Sequence, residues 1–321
     1  MQKIGSITST ADVNGEWTNG NVAAGTPPTI LDAAWMNTVQ RELANVVTGA
    51  GMALSPANDA QVLAALKSFI SQGTAGLVGD MRNGKMSIPT ASATATFTAD
   101  EIIIETALGG FQYRLSSFSK TINLATTGAG GMDTGTVTSG YIAIYAIYNP
   151  TTGASALLAT LTGTSAGSIY SGSNMPSGYT ASALVSTWLV SSSQLTAGYQ
   201  IDRDIYTTSL SAISTSAATT TPAVITFASA AFPVNAKTIS GYGTVTAQAN
   251  QTAEIWILSL PVIGQGVRCA TNASAIAAGG IGQTFPLSKI PITSPQKLYL
   301  EAFASTSSSF PYAVNITGYS I

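Results

Sequence analysis

The chain of 321 residues contains no histidine and only one cysteine, Cys269, and charged residues make up only 8% of it. Without histidine there is no imidazole base for a Ser-His-Asp or Cys-His nucleophile, and no histidine to bind a metal. A single cysteine excludes an intrachain disulfide framework and a cysteine-rich zinc site. These absences predict a protein with no catalytic residue, no metal site and no cofactor.

Basic charge and long apolar runs are also scarce. Lys and Arg total 12 and Asp and Glu 14, and the isoelectric point is near 5.0, which argues against a nucleic-acid partner. The mean hydropathy is +0.29, yet an apolar run such as residues 141–148 is far shorter than the roughly 20 residues of a membrane-spanning helix. Because the first residues lack the apolar core of a secretory signal, we expect a soluble protein made in the cytoplasm.

Helical patterns occur only in the first region, residues 1–80. A Gly-, Asn- and Pro-rich extended lead, residues 8–28, precedes an amphipathic helix that Asp32 caps and Thr48-Gly49 ends. A second helix is predicted to begin with Ser55 as N-cap and Pro56 at its first position. The two form a helical hairpin that is too small for a good core of its own.

The remaining regions have strand patterns. Residues 81–206 predict a middle β domain, and residues 207–321 predict a C-terminal β-sandwich or jelly roll. The Ser-, Thr- and Ala-rich stretch 209–221 is interpreted as a linker or a loose edge strand. The fold class is therefore mainly β with a small N-terminal α-helical region, and the low surface charge favours an obligate oligomer.

The first region contains a distinctive block at residues 33–43 (AAWMNTVQREL), with Gly15-Glu16-Trp17 before it and Gly49-Ala50-Gly51 after it. This block resembles the N-terminus of tail fibre proteins from tailed phages and prophages. Residues 175–180, Trp188 and residues 199–203 resemble a β domain of such fibres, so the resemblance covers about residues 1–206. It implies an elongated homotrimer in the virion, attached to the baseplate or tail by its N-terminus, with a distal receptor-binding tip.

Six apolar residues are the candidates for tail attachment or the trimer core. Most recur at spacings of three to four, so packing in a trimer or hairpin core is favoured over direct contact with the baseplate. The lead, residues 8–28, is the preferred baseplate-facing element. The six candidates are Trp17, Leu31, Trp35, Val39, Leu43 and Leu66.

The candidates for binding a host glycan or outer-membrane receptor lie in the C-terminal region. Arg268 and Asn272 are predicted in a loop rich in small residues, and Phe310 and Tyr312 in an exposed loop. Trp256 and Tyr299 are also aromatic candidates, but their mid-strand positions favour the sandwich core.

Two alternatives stay open at this point. One is a tailspike-like enzyme that degrades surface polysaccharide, for which Glu254 with Glu301, or Glu101 with Glu105, would have to supply the paired acids. Structural ion pairing is the favoured interpretation of both pairs. The other alternative is a baseplate or collar component with no receptor role. The Asp-Arg-Asp run at residues 202–204 is interpreted as a solvated turn or an intersubunit ion pair.

Overall fold

The computed structural model describes residues 2–73, 76–162, 166–226, 231–262, 266–276, 278–306 and 310–321. The chain divides into two compact units, Met1–Ala75 and Gly76–Ile321. No helix in the described ranges is long and apolar enough to cross a membrane.

The N-terminal unit contains the helices α1 (Ala33–Gly49) and α2 (Gln61–Gly73), with short 3-10 turns at Ile4–Ser6 and Val22–Ala24. Asp32 is the N-cap of α1, and its carboxylate accepts a hydrogen bond of 2.7 Å from the backbone N–H of Ala34. That bond satisfies a donor that the first helical turn leaves without a partner. The predicted start and end of this helix are confirmed.

The predicted start of α2 at Ser55 and Pro56 is wrong, because the helix begins at Gln61. The Gln61 side chain accepts a hydrogen bond from the backbone N–H of Ser55 at 3.1 Å and donates one to the carbonyl of Ala53 at 2.7 Å. The segment before the helix is thus held in a non-helical conformation by a side chain inside the helix, which a local capping pattern does not reveal.

The second unit is built from strands. Their bounds are β1 (Met81–Arg82), β2 (Lys85–Ile88), β3 (Thr94–Glu105), β4 (Gln112–Asn123), β5 (Gly140–Asn149), β6 (Ala154–Leu161), β7 (Ala181–Ser191), β8 (Gln194–Leu195), β9 (Gly198–Ile201), β10 (Asp204–Thr215), β11 (Thr219–Thr226), β12 (Thr238–Gln248), β13 (Thr252–Leu258), β14 (Gly266–Asn272), β15 (Gly280–Pro291), β16 (Lys297–Ala304) and β17 (Tyr312–Ser320).

These strands form two antiparallel sheets. The larger has the order β15-β12-β17-β10-β9-β2-β3-β7-β5-β6, with β1 and β4 also paired to β3 and β8 to β7. The smaller has the order β11-β16-β13-β14. Buried side chains of the smaller sheet, such as Ile255 and Leu300, share one core with side chains of the larger sheet, such as Val245 and Ile316. The mainly β class and the sandwich of antiparallel sheets are confirmed.

Strand β10 crosses the position at which the sequence pattern separates a middle from a C-terminal domain, between residues 206 and 207. It pairs with β9 on one side and with β17 on the other, so the large sheet is continuous there. Residues 210–215 of β10 pair with β17 alone, because β9 pairs only with residues 204–207 of that strand. Residues 219–221 lie in β11, at the edge of the smaller sheet. The linker interpretation is therefore wrong for these residues, whereas the interpretation as an edge strand agrees with the pairing.

Candidate functional site

The outer face of the smaller sheet brings together several polar and aromatic side chains. Along β13 and β14 alternate residues are buried against the core, and the residues between them are directed away from it. We call the outward residues of β13, β14 and β16 the lateral face. In strand order β14, β13, β16, its cross-strand rows are Asn272 and Thr252; Ala270, Glu254 and Phe303; and Arg268, Trp256 and Glu301.

Glu254 is the centre of the polar contacts on this face. Its Oε2 accepts a hydrogen bond of 2.9 Å from Arg268 Nε and a second bond from Arg268 Nη2. Its Oε1 accepts a hydrogen bond of 3.0 Å from Trp256 Nε1. The Arg268 guanidinium carbon also lies 5.5 Å from the centre of the Trp256 ring, within cation–π range. One carboxylate therefore fixes both the guanidinium and the indole.

An open cleft of about 360 Å³ lies beside this cluster. Its lining includes Glu254 and Arg268, together with Thr252, Asn272 and the exposed ring of Phe303. Its volume falls in the range of small-molecule sites, roughly 300–1,000 Å³, and polar groups set against an apolar wall are typical of such sites.

Glu301 is the second carboxylate on the lateral face, directly across from Trp256. It is only 6% exposed, and its Oε2 has no hydrogen-bond partner among the residues that the structure describes. Cross-strand neighbours on one face lie close together, so Glu301 belongs to the same cluster as Trp256.

Two of the four predicted receptor-binding residues line the cleft, and the other two are buried in the core. Arg268 and Asn272 both line the cleft, although they lie on strand β14 and not in the predicted loop. The expected exposure of Phe310 and Tyr312 is wrong, because their exposed fractions are 0% and 4%. Tyr312 begins strand β17, and its hydroxyl donates to the carbonyl of Ala217 at 2.8 Å. Both rings fill the sandwich core, since burying an aromatic ring is strongly favourable.

The favoured placement of Trp256 and Tyr299 in the sandwich core is also wrong. Both are partly exposed and lie on the outer face, while Ile255 and Ile257 are directed inward. The signal was present in the sequence: Trp256 is two residues from Glu254, and residues two apart in a strand share a face.

Three of the four carboxylates considered for catalysis, Glu254, Glu101 and Glu105, have structural partners, whereas Oε2 of the buried Glu301 has none among the described residues. Glu254 is engaged by Arg268 and Trp256, as described above. Glu101 lies 3.6 Å from Arg114, and Glu105 is buried and accepts hydrogen bonds from Gln112 and from the backbone N–H of Gly109.

Arg203 and Asp204 of the Asp-Arg-Asp run (residues 202–204) make hydrogen bonds to other parts of the chain. The buried guanidinium of Arg203 donates to the carbonyl oxygens of Leu184 at 3.0 Å and Gly79 at 2.6 Å, and burial lowers its pKa. Asp204 accepts a hydrogen bond of 2.9 Å from Lys289, and this bond raises the pKa of the lysine. Arg203 therefore fastens strand β7 to the segment before β1.

In the N-terminal unit, the predicted attachment residues Trp17 and Trp35 contact each other edge to face, with ring centres 5.3 Å apart. The Trp35 indole donates to the carbonyl of Gln2 at 3.1 Å. A shallow cavity of about 410 Å³ opens beside the two rings and is also lined by Ile4 and Glu16. The extended lead and helix α1 thus meet at one aromatic pair.

The other predicted attachment residues have little contact with the unit's own interior. Leu31, Leu43 and Leu66 are exposed, and Val39 is partly exposed. In the described part of this unit, the only buried hydrophobic residues are Ile4, Val47 and Ala65. A unit of this size with so small a core has little hydrophobic stabilisation, so its exposed apolar side chains favour a further packing partner.

No protein-family model and no curated protein matches the chain. Among solved structures, a chain of the infectious bursal disease virus Gx strain is 12% identical, over 76% of this chain and 69% of that one, with a TM-score of 0.20. A carbohydrate-binding module of the β-sandwich superfamily is 8% identical, over 74% of this chain and 99% of that one, with a TM-score of 0.16. Likenesses at such TM-scores indicate neither the fold nor the function of this chain.

Proposed function

We propose that this protein is a structural adhesin, the tail fibre of a phage or phage-tail-like particle. Its N-terminal unit attaches to baseplate or tail proteins and forms a homotrimer, and its C-terminal sandwich binds a host cell-surface glycan. The observation that carries the receptor role is the cleft on the lateral face, where Arg268 and Asn272 line the opening together with the exposed ring of Phe303. Aromatic rings with hydrogen-bonding groups around them suit saccharides, which have both C–H faces and hydroxyls.

The attachment role has separate support from the small core of the N-terminal unit and its exposed leucines. Such a unit gains stability when apolar side chains are buried between chains, at about 25 cal/mol per Å² of apolar area. A trimer also multiplies weak glycan contacts, because three sites act on one cell surface.

The receptor role is tested with particles that carry Phe303→Ala or Asn272→Ala, both of which alter residues that line the cleft, with Phe111→Ala as the control. Phe111 is exposed and lies outside the C-terminal strands, so the control matches the loss of an exposed aromatic ring. We expect both cleft variants to reduce adsorption to susceptible cells at least tenfold and the control to adsorb normally. Normal adsorption by both cleft variants would overturn the receptor role and favour a baseplate or collar component.

Point variants are preferred to deletion of residues 207–321, because that deletion would cut strand β10 and expose an edge of the large sheet. Release of reducing sugar from host envelope by the intact chain would replace the adhesin proposal with the enzyme alternative.

The oligomer is tested by the mass of the purified full chain in solution. We expect about three times the single-chain mass of 32.6 kDa, and dissociation when Leu43 and Leu66 are both changed to Gln. The matched control is Val13→Gln, which should leave the trimer intact, because Val13 is also exposed but lies in the lead. A single-chain mass at micromolar concentration overturns the trimer.

A further inference from the structure

The hydrogen-bond donors of the cleft are only partly used. Arg268 commits Nε and Nη2 to Glu254, and its Nη1 has no partner among the described residues. Asn272 accepts a hydrogen bond from the backbone N–H of Ser274 at 2.9 Å through Oδ1, and its Nδ2 likewise has no partner in the described ranges. Two nitrogen donors that line the same cleft therefore remain available to a ligand.

The hydrogen-bond acceptors of the Glu254 carboxylate, in contrast to these donors, are already used. Glu254 is the carboxylate that lines the cleft, and both of its oxygens already accept hydrogen bonds from Trp256 and Arg268. The Glu254 side chain is only 13% exposed, whereas that of Arg268 is 51% exposed. A ligand thus meets the cation more readily than the anion.

Arg268 is the cation that an anionic ligand meets in the cleft. The lateral face also carries the carboxylates Glu254 and Glu301, of which Glu301 is buried. No lysine in the described ranges lines the cleft, and Lys289 is paired with Asp204. Any attraction of an anion is therefore local to Arg268 and weakens with added salt.

An apolar wall completes the cleft. Phe303 and Ala270 flank Glu254 in one cross-strand row, and the Phe303 ring is exposed. A pyranose ring presents C–H groups on one face, and these pack against an aromatic ring while groups at the ring edge reach polar side chains.

We propose that the cleft binds a saccharide that carries a carboxylate, such as a uronic acid or a sialic acid. The ligand carboxylate accepts hydrogen bonds from Arg268 Nη1 and Asn272 Nδ2, and the sugar ring packs on Phe303. Charge-assisted bonds of this kind are about twice as strong as neutral ones, so the carboxylate dominates recognition. This inference rests on the proposed glycan-binding function and specifies the class of glycan.

The test is binding of the full chain to an array of uronic-acid, sialic-acid and neutral oligosaccharides, with each acidic glycan also present in its carboxyl-reduced form. We expect binding only to carboxylate-bearing glycans, and a loss of at least tenfold on carboxyl reduction. Arg268→Gln should lose binding to the same extent. Lys297→Gln is the control, because it removes an exposed cation that does not line the cleft.

Two failures are distinguishable. Binding to neutral glycans that is lost in Phe303→Ala but unchanged in Arg268→Gln overturns the acidic-saccharide inference and leaves the adhesin function in place. No glycan binding on the array, together with normal adsorption of the Phe303→Ala and Asn272→Ala particles, overturns both.

Discussion

Arg268 and Glu254 are linked diagonally across strands β13 and β14, with Arg268 Nε 2.9 Å from Glu254 Oε2. The pair is asymmetric, since the guanidinium is half exposed while the carboxylate is largely covered. Solvent screens an ion pair of this kind, so it orients the two groups more than it stabilises the fold.

We therefore predict that Arg268→Gln changes the free energy of unfolding by no more than about 1 kcal/mol. Urea denaturation of the variant and the unaltered chain measures this difference. A much larger loss would mean that the arginine is a structural residue, and that reduced glycan binding in its variants reports damage to the sandwich.

Arg203 is expected to behave differently, because its guanidinium is buried and serves two backbone carbonyls. Arg203→Ala leaves these carbonyls without their donor and should lower the free energy of unfolding by about 3 kcal/mol. The control is Arg114→Ala, whose ion pair with Glu101 is exposed and should contribute less than about 1 kcal/mol. Equal losses in both variants, measured by denaturant unfolding, would contradict this prediction.

Alkaline pH should destabilise the second unit. Burial raises the pKa of Tyr319 and of Tyr141, and burial with the neighbouring Tyr170 raises that of Tyr145 to about 12. In the unfolded chain a tyrosine has a pKa near 10, so above this pH the unfolded state has lost protons that the folded state retains. The stabilisation is complete below about pH 10 and is lost as the pH rises toward the folded-state pKa values.

We predict a steep fall in the free energy of unfolding above about pH 10, measured by denaturant titration at fixed pH values. Tyr319→Phe should make the fall less steep by about one proton. It should also cost about 0.5–1.5 kcal/mol at neutral pH, because the hydroxyl donates to the carbonyl of Thr187 at 2.8 Å. A constant free energy of unfolding across this alkaline range would refute the burial argument.

The lead depends on a close approach of two glycines. A Cβ added to Gly5 would lie 2.6 Å from the Cα of Gly15, and Gly5 also donates a backbone hydrogen bond to Gly15 at 3.2 Å. Gly5→Ala should therefore open the lead and speed proteolysis between Gly5 and Trp17, and it should weaken attachment. Gly49→Ala is the control, because its added Cβ meets only the Phe69 ring, at 3.7 Å. Unchanged cleavage in the Gly5 variant would contradict the prediction.

Where neighbouring residues determine the structure, the sequence was sufficient to predict it. Asp32 caps α1 as expected, because capping depends on a side chain and the backbone two positions away. The start of α2 was missed because the bonds that hold Ser55 and Ala53 come from Gln61, inside the helix.

Several errors in the candidate site arose where residues of a strand were interpreted as a loop. Phe310 and Tyr312 follow a Ser-rich stretch that is typical of a loop, but Tyr312, Val314 and Ile316 continue one buried face of β17. Extending that alternation back to Tyr312 would have placed its ring inside. Arg268 and Asn272 share a face because they are four residues apart on β14. Their grouping with Glu254 depends on the pairing of β14 with β13, which no local pattern specifies.

The continuity of β10 has a consequence for how such proteins diversify. If coding segments were exchanged between related genes at residue 206, the two parts of one strand would come from different parents. The hybrid strand would still have to match β9 and β17 in register. A crossover near the boundary before Gly76 joins two compact units and divides no ladder. For the proposed adhesin, new host specificity is therefore expected to arise by substitution on the lateral face, or by replacement of the whole second unit, and not by grafting residues 207–321 alone.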